Sequence, residues 1–120
     1  MHNAQALADR YVAVWNESDA TRRRSAIAEV WTPTGEHYVG TREVRGHDAL
    51  EARVAGSHEK NVRERGCRFR AVQDARALHD ALIFHWEMLP GDRDEVLATG
   101  MIVLILDGEG RIRTDYQFVF

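Results

Sequence analysis

Asp115 and His37 are the residues of this chain whose placement decides whether it can do chemistry. Asp115 lies on the alternating run Arg111–Phe120, where Arg111, Arg113, Asp115, Gln117 and Val119 share one face. Ile112, Thr114, Tyr116, Phe118 and Phe120 share the other. Pattern alone sends the aromatic face to the core and the polar face to water. On that reading Asp115 is a solvated carboxylate, or one held ionised by Arg113; on the opposite reading it is a buried, reactive one. His37 shares one face of the short extended stretch Glu36–Val39 with Val39. Its imidazole has an ordinary pKa suited to reversible proton transfer near neutrality.

Other chemistries find little support. None of the six histidines stands in a His-x-x-x-His or Glu-x-x-His pair with a further ligand nearby, and the single cysteine, Cys67, builds no zinc site and no internal disulfide. No metal and no cofactor are expected. Gly108 and Gly110 lie in a hairpin rather than between a strand and a helix, so they form no phosphate cradle, and there is no Gly-x-Ser-x-Gly elbow. A net charge of −3 argues against a general affinity for nucleic acid, and Arg22, Arg23 and Arg24 read as a solvated helix face. The start of the chain lacks the features of a signal peptide, and no apolar run reaches membrane-spanning length. The expectation is a cytoplasmic protein of one domain, 1–120, with no membrane partner.

The elements that must position these side chains follow from periodicity. Leu7, Ala8, Tyr11, Val12 and Trp15 recur at helical spacing between Asn3 and Asn16. A second helix, Thr21 to Trp31, ends before Pro33 and Gly35. A third follows Gly46-His47-Asp48 and aligns Leu50, Val54 and His58, with Gly66 placed to cap it. The period then changes from helical to two. Cys67–Leu78 alternates weakly, Ala81–Leu89 clearly, and Val96–Leu106 reads as a strand buried on both faces. Asp107-Gly108-Glu109-Gly110 is a hairpin turn into the final strand. Helices first and long strands after define an α+β chain with helices packed on one face of a curved sheet.

Four pieces in this order carry a family resemblance: Arg10-Tyr11-Val12-Ala13-Val14-Trp15-Asn16 with Asp19; Val30-Trp31-Thr32-Pro33-Thr34-Gly35; Val44-Arg45-Gly46-His47-Asp48-Ala49-Leu50; and Leu106-Asp107-Gly108-Glu109-Gly110-Arg111-Ile112. With them the chain resembles the nuclear transport factor 2-like superfamily, in its SnoaL-like polyketide cyclase and ketosteroid isomerase branches. The resemblance implies a cone: a curved antiparallel sheet wrapped around three helices, enclosing an apolar pocket and pairing its outer face into a homodimer. It also implies that Asp115, Gln117 and Val119 face the pocket while Tyr116 and Phe118 face a second subunit. His85 and Glu87 then belong to the outer face.

By the same resemblance Tyr11 occupies the position of the isomerases' oxyanion-binding tyrosine. Their first-strand aspartate falls at His37 or Val39, and their second oxyanion donor falls at Ile102, which cannot donate. Asp115, set among Trp15, Phe84, Trp86 and Leu104, would be desolvated and its pKa raised. Epoxide hydrolases of this fold need two carboxylates bridged by an arginine, of which Arg113 and Asp115 supply half. Dehydratases resembling scytalone dehydratase use histidines with an aspartate and tyrosines, which Tyr11, His37, His58 and Asp115 match better.

The expectation is therefore a small enzyme without a cofactor, acting by acid-base chemistry on an apolar cyclic or polyketide-like molecule. Asp115, His37 and Tyr11 are its catalytic candidates. Trp15, Val39, Val54, His58, Phe84, Trp86, Ile102, Leu104, Gln117 and Val119 are its ligand-binding candidates. The alternatives are a non-catalytic dimeric binder of a hydrophobic ligand, and a protein-interaction role through the outer sheet.

Overall fold

A computed structural model describes residues 3–120, so the first two residues of the expected domain lie outside the described part. Helix α1, Ala4–Asn16, starts where the Asn3 side chain accepts a hydrogen bond from the Ala6 N–H at 3.0 Å. It buries Leu7, Ala8, Tyr11, Val12 and Trp15, as its spacing predicts, together with Val14. At its end the Asn16 side chain bonds both the N–H and the C=O of Phe69, each at 2.8 Å, much as a neighbouring strand would. Helix α2, Ala20–Val30, is capped by Asp19 and runs directly into strand β1, Trp31–Val39. Pro33 and Gly35, expected to lie beyond the helix in a break, are part of that strand. Trp31 is already extended, and Thr32, the residue that Pro33 restricts to extended geometry, follows it in the strand.

Strand β2, Arg42–Arg45, forms an edge hairpin with β1. Helix α3, His47–Ser57, continues without a break into a π-helical stretch, His58–Glu64, and Gly66 ends it with φ +66°. The remaining strands are β3 (Cys67–Ala71), β4 (Arg76–Leu78), β5 (Ala81–Pro90), β6 (Ala98–Leu106) and β7 (Ile112–Val119). They form one curved, unclosed sheet in the order β2-β1-β7-β6-β5-β3, with β4 beside β5. Every pairing is antiparallel except that of β1 with β7, which is parallel. The helices cover the concave face, and the core lies between them and the sheet. Among the described residues no helix is long and apolar enough to cross a membrane.

Two departures from simple alternation matter for the site. On β7, Leu106 pairs with Ile112 but Ile105 pairs with Thr114, so Arg113 is an extra residue. A bulge of this kind reverses the phase of a strand. Ile112 and Asp115 consequently both face inward at 0% exposure, although they belong to opposite faces of an unbroken alternation. Arg113 points out towards Asp80 and does not pair with Asp115. On β6 the expected burial of both faces is replaced by alternation: Gly100, Ile102, Leu104 and Leu106 are buried, while Met101, Val103 and Ile105 are only half-buried. Their apolar character belongs to the outer sheet face.

Candidate functional site

Three elements converge on one carboxylate. His37 on β1 and Asp115 on β7 are direct partners in the parallel ladder, and Tyr11 reaches them from α1. The Tyr11 hydroxyl donates to Asp115 Oδ2 at 3.0 Å, and His37 Nδ1 lies 2.9 Å from the same oxygen. With Asp115 ionised and His37 protonated on Nδ1, that oxygen accepts both bonds. Asp115 and His37 are fully buried and Tyr11 nearly so. Tyr11 is packed by Trp15, Trp31 and Phe84, with ring centroids at 6.1, 5.4 and 5.7 Å, and Trp15 also lies 5.4 Å from His37. Burial above all, then the charge and hydrogen bond of Asp115, push the Tyr11 phenol well above its ordinary pKa. It is held as a neutral donor. Asp115 Oδ1 and His37 Nε2 find no partner among the described residues.

Beside this cluster lies a cavity of about 650 Å³, within the range of small-molecule sites. Tyr11, Trp15, Val39, Trp86, Ile102, Gln117 and Val119 line it, together with Phe69 and Met88. Phe69 meets Trp86 edge-on at 6.0 Å. Of the other residues singled out from sequence, Val54, Phe84 and Leu104 are wholly buried in the core and do not reach the cavity wall. His58 points elsewhere and shares a hydrogen bond with Ser18 at 3.1 Å. His85 is bound to Asp74, away from the cavity. Asp115 and His37 also stay behind the wall; of the catalytic candidates, Tyr11 alone lines the cavity. Of the three side chains expected at the pocket, the Tyr11 phenol is the one on the cavity wall. Helix α1 inserts the phenol between them and the open space.

The polar wall was missed by sequence reasoning. Arg53, Gly56, Ser57, Lys60 and Asn61 line the cavity from α3 and its π-helical continuation, and Thr41 and Arg42 from the β1–β2 hairpin. Residues 53, 56, 57, 60 and 61 follow the i, i+3, i+4, i+7, i+8 pattern, so one helical stripe carried the signal. Leu50, Val54 and His58, aligned at i, i+4 and i+8, lie on the neighbouring stripe. Among the described residues no three His, Cys, Asp or Glu side chains converge as a metal site.

A half-open cone with a dry carboxylate cluster beside an aromatic-walled cavity defines a class of small α+β pocket proteins. No family model matches the chain, and no curated protein matches it. Solved structures do. A candidate isomerase of the SnoaL-like family from Agrobacterium tumefaciens superposes with TM-score 0.89 at 26% identity, covering 100% of this chain and 99% of the other. A candidate polyketide cyclase from Sinorhizobium meliloti gives TM-score 0.70 at 10% identity over 93% of both chains. A SnoaL-like protein of unknown function from Burkholderia thailandensis gives 0.73 at 13% identity, covering 100% and 98%. The chain thus has the nuclear transport factor 2-like fold in its SnoaL-like form.

Proposed function

We propose that the protein is a cofactor-independent enzyme that moves a proton on an apolar cyclic or polyketide-like molecule, as an isomerase, cyclase or dehydratase would. The observation that carries this reading is the paired hydrogen bonding of Tyr11 and His37 to one oxygen of a fully buried Asp115, with the phenol at the cavity wall. The phenol resists ionisation, so it serves as a relay rather than as a phenolate. Its oxygen takes a proton from the substrate while its own proton passes to Asp115 Oδ2. The reverse transfer returns a proton to another atom of the substrate. His37 holds the carboxylate in register and balances its charge. The SnoaL-like isomerase and cyclase descriptions of the structural neighbours are in keeping with such chemistry.

The test is solvent deuterium exchange, followed by NMR, into a panel of cyclic ketones and hydroxy compounds. Wild-type protein is expected to catalyse exchange into at least one of them, with the rate falling at least about a hundredfold in Tyr11→Phe and Asp115→Asn, the usual scale of general acid-base contributions. Unchanged rates in both variants would remove the relay.

A second reading is favoured by the seclusion of Asp115 and His37 and by the apolar Ile102 at the cavity. On it the protein holds a hydrophobic ligand without changing it. Native mass spectrometry that found a retained ligand, chemically unaltered after long incubation, would support binding over catalysis. We further propose that the protein works as a homodimer through its outer sheet face, where Ile83, Tyr116, Phe118 and Phe120 are exposed.

A further inference from the structure

The cavity wall carries three cations that proton transfer does not use. Arg42 at the start of β2, Arg53 on α3 and Lys60 on the π-helical stretch all line the cavity, and no Asp or Glu does. None of the three makes an ion pair with a described residue. Other arginines are paired, as in Arg24 with Glu51 and Arg70 with Glu87. Its net charge is −3, so the positive wall does not reflect the general composition. Arg53 is the central member. It is half-buried, its guanidinium carbon stands 5.0 Å from the centre of the Trp15 ring, and its buried Nε has no partner among the described residues. Stacking on an aromatic face fixes a guanidinium in place while leaving its N–H groups to find acceptors. Asp115 does not neutralise it by contact: that carboxylate stands behind Tyr11, and its bonded oxygen is taken by Tyr11 and His37. Arg42 and Lys60 are exposed, but Arg53 is partly desolvated, and such a cation without a counter-charge is costly unless something anionic meets it.

We propose that the cavity takes a substrate that carries a carboxylate on an apolar ring body. The carboxylate meets Arg53, with Arg42 and Lys60 beside it, and the ring lies among Trp15, Phe69 and Trp86. This deepens the reading of the cavity as the substrate site by naming the chemical class. A guanidinium that grips a carboxylate with two parallel N–H bonds fixes orientation as well as position. Anchored at that end, the body presents a defined atom to the Tyr11 hydroxyl, which is what a proton relay requires.

Calorimetric titration with 2-naphthoate and its neutral counterpart 2-naphthamide separates charge from shape. The acid is expected to bind at least about tenfold more tightly, a difference of about 1.4 kcal/mol, and to lose this advantage in high salt. Arg53→Met should bring the acid down to the amide's affinity and leave the amide unchanged. Arg42→Gln, at an exposed position where folding is not at stake, should weaken the acid severalfold and spare the amide. Equal affinity for acid and amide would overturn the proposal, as would equal losses for both in Arg53→Met or failure of the acid to bind at millimolar concentration. Asp115→Asn should keep the preference for the acid while losing exchange activity. Failure of the relay and failure of the anion site are therefore separately visible.

Discussion

Asp115 and His37 face each other across the parallel pair β7 and β1, 2.9 Å apart and wholly excluded from solvent. An interaction so placed holds together two strands that are distant in sequence. Asp115→Asn leaves an oxygen that still accepts from Tyr11 and His37 but puts an NH2 where Oδ1 stood, and that buried position has no partner among the described residues. Leaving a buried donor unmatched costs roughly 1–3 kcal/mol. We expect urea unfolding of this variant to show a loss in that range. A neutral result would mean that the cluster contributes nothing to holding β1 against β7.

Tyr11 provides a second check through its proton. Burial, and then Asp115, raise its folded-state pKa well above the ordinary value of 10.0. The stability this confers is fully present below the unfolded pKa and is lost as pH rises through the folded one. Ultraviolet titration of the native protein should therefore show Tyr11 silent until the fold is lost. The native curve of Tyr11→Phe should superimpose on the wild-type curve in that range. A phenolate signal that disappears with this substitution below the unfolding transition would show that the hydroxyl is not held as described.

The stripe of Leu7, Tyr11 and Trp15 was legible because helical periodicity is local, as was the alternation of Ala81–Leu89. The phase of β7 was not legible from pattern. One extra residue at Arg113 reverses it, and only the pairing with Leu106 and Ile105 reveals the extra residue. The resemblance nevertheless put Asp115 and Gln117 on the inner side and Tyr116 on the outer, where burial also has them. The screening of Asp115 and His37 by Tyr11 depends on how α1 seats in the cone, a non-local packing that neither residue's neighbours in sequence record. Arg53 was missed because a charged residue beside the buried Val54 reads as solvent-facing, whereas the helix turns it onto a cavity.

Gly100 sets the shape of the aromatic wall. It pairs across the sheet with Trp86, and a Cβ there would stand 2.1 Å from the Phe118 carbonyl oxygen and 2.4 Å from the Trp86 ring. The carbonyl is backbone and cannot rotate aside, so the strand or the indole must move. Overpacking of this kind costs typically about 1–3 kcal/mol, occasionally more. Gly100→Ala should therefore lower the melting temperature and shift the tryptophan emission, because Trp86 is displaced into or out of the cavity. Unchanged stability and emission would mean that the wall is softer than its close contacts imply.

The outer face offers the last test. Tyr38, Tyr116, Val103 and Ile83 form a row across four neighbouring strands, with Tyr38 stacked on Tyr116 at 5.6 Å. Phe118 and Met101 form the next row, and Phe118 is 48% exposed. A contiguous apolar face of this kind is unusual on a monomer and typical of an interface. Since β6 has one face in the core, the apolar residues of its other face are accounted for if a second copy covers them. Sedimentation equilibrium is expected to find a dimer. Phe118→Glu should raise the dissociation constant roughly thirtyfold or more, the effect of losing a central aromatic anchor of about 2 kcal/mol. Circular dichroism should be unchanged, because the side chain packs on nothing in the core. A monomeric wild type at the highest workable concentration would remove the dimer and leave the outer face without an assigned role.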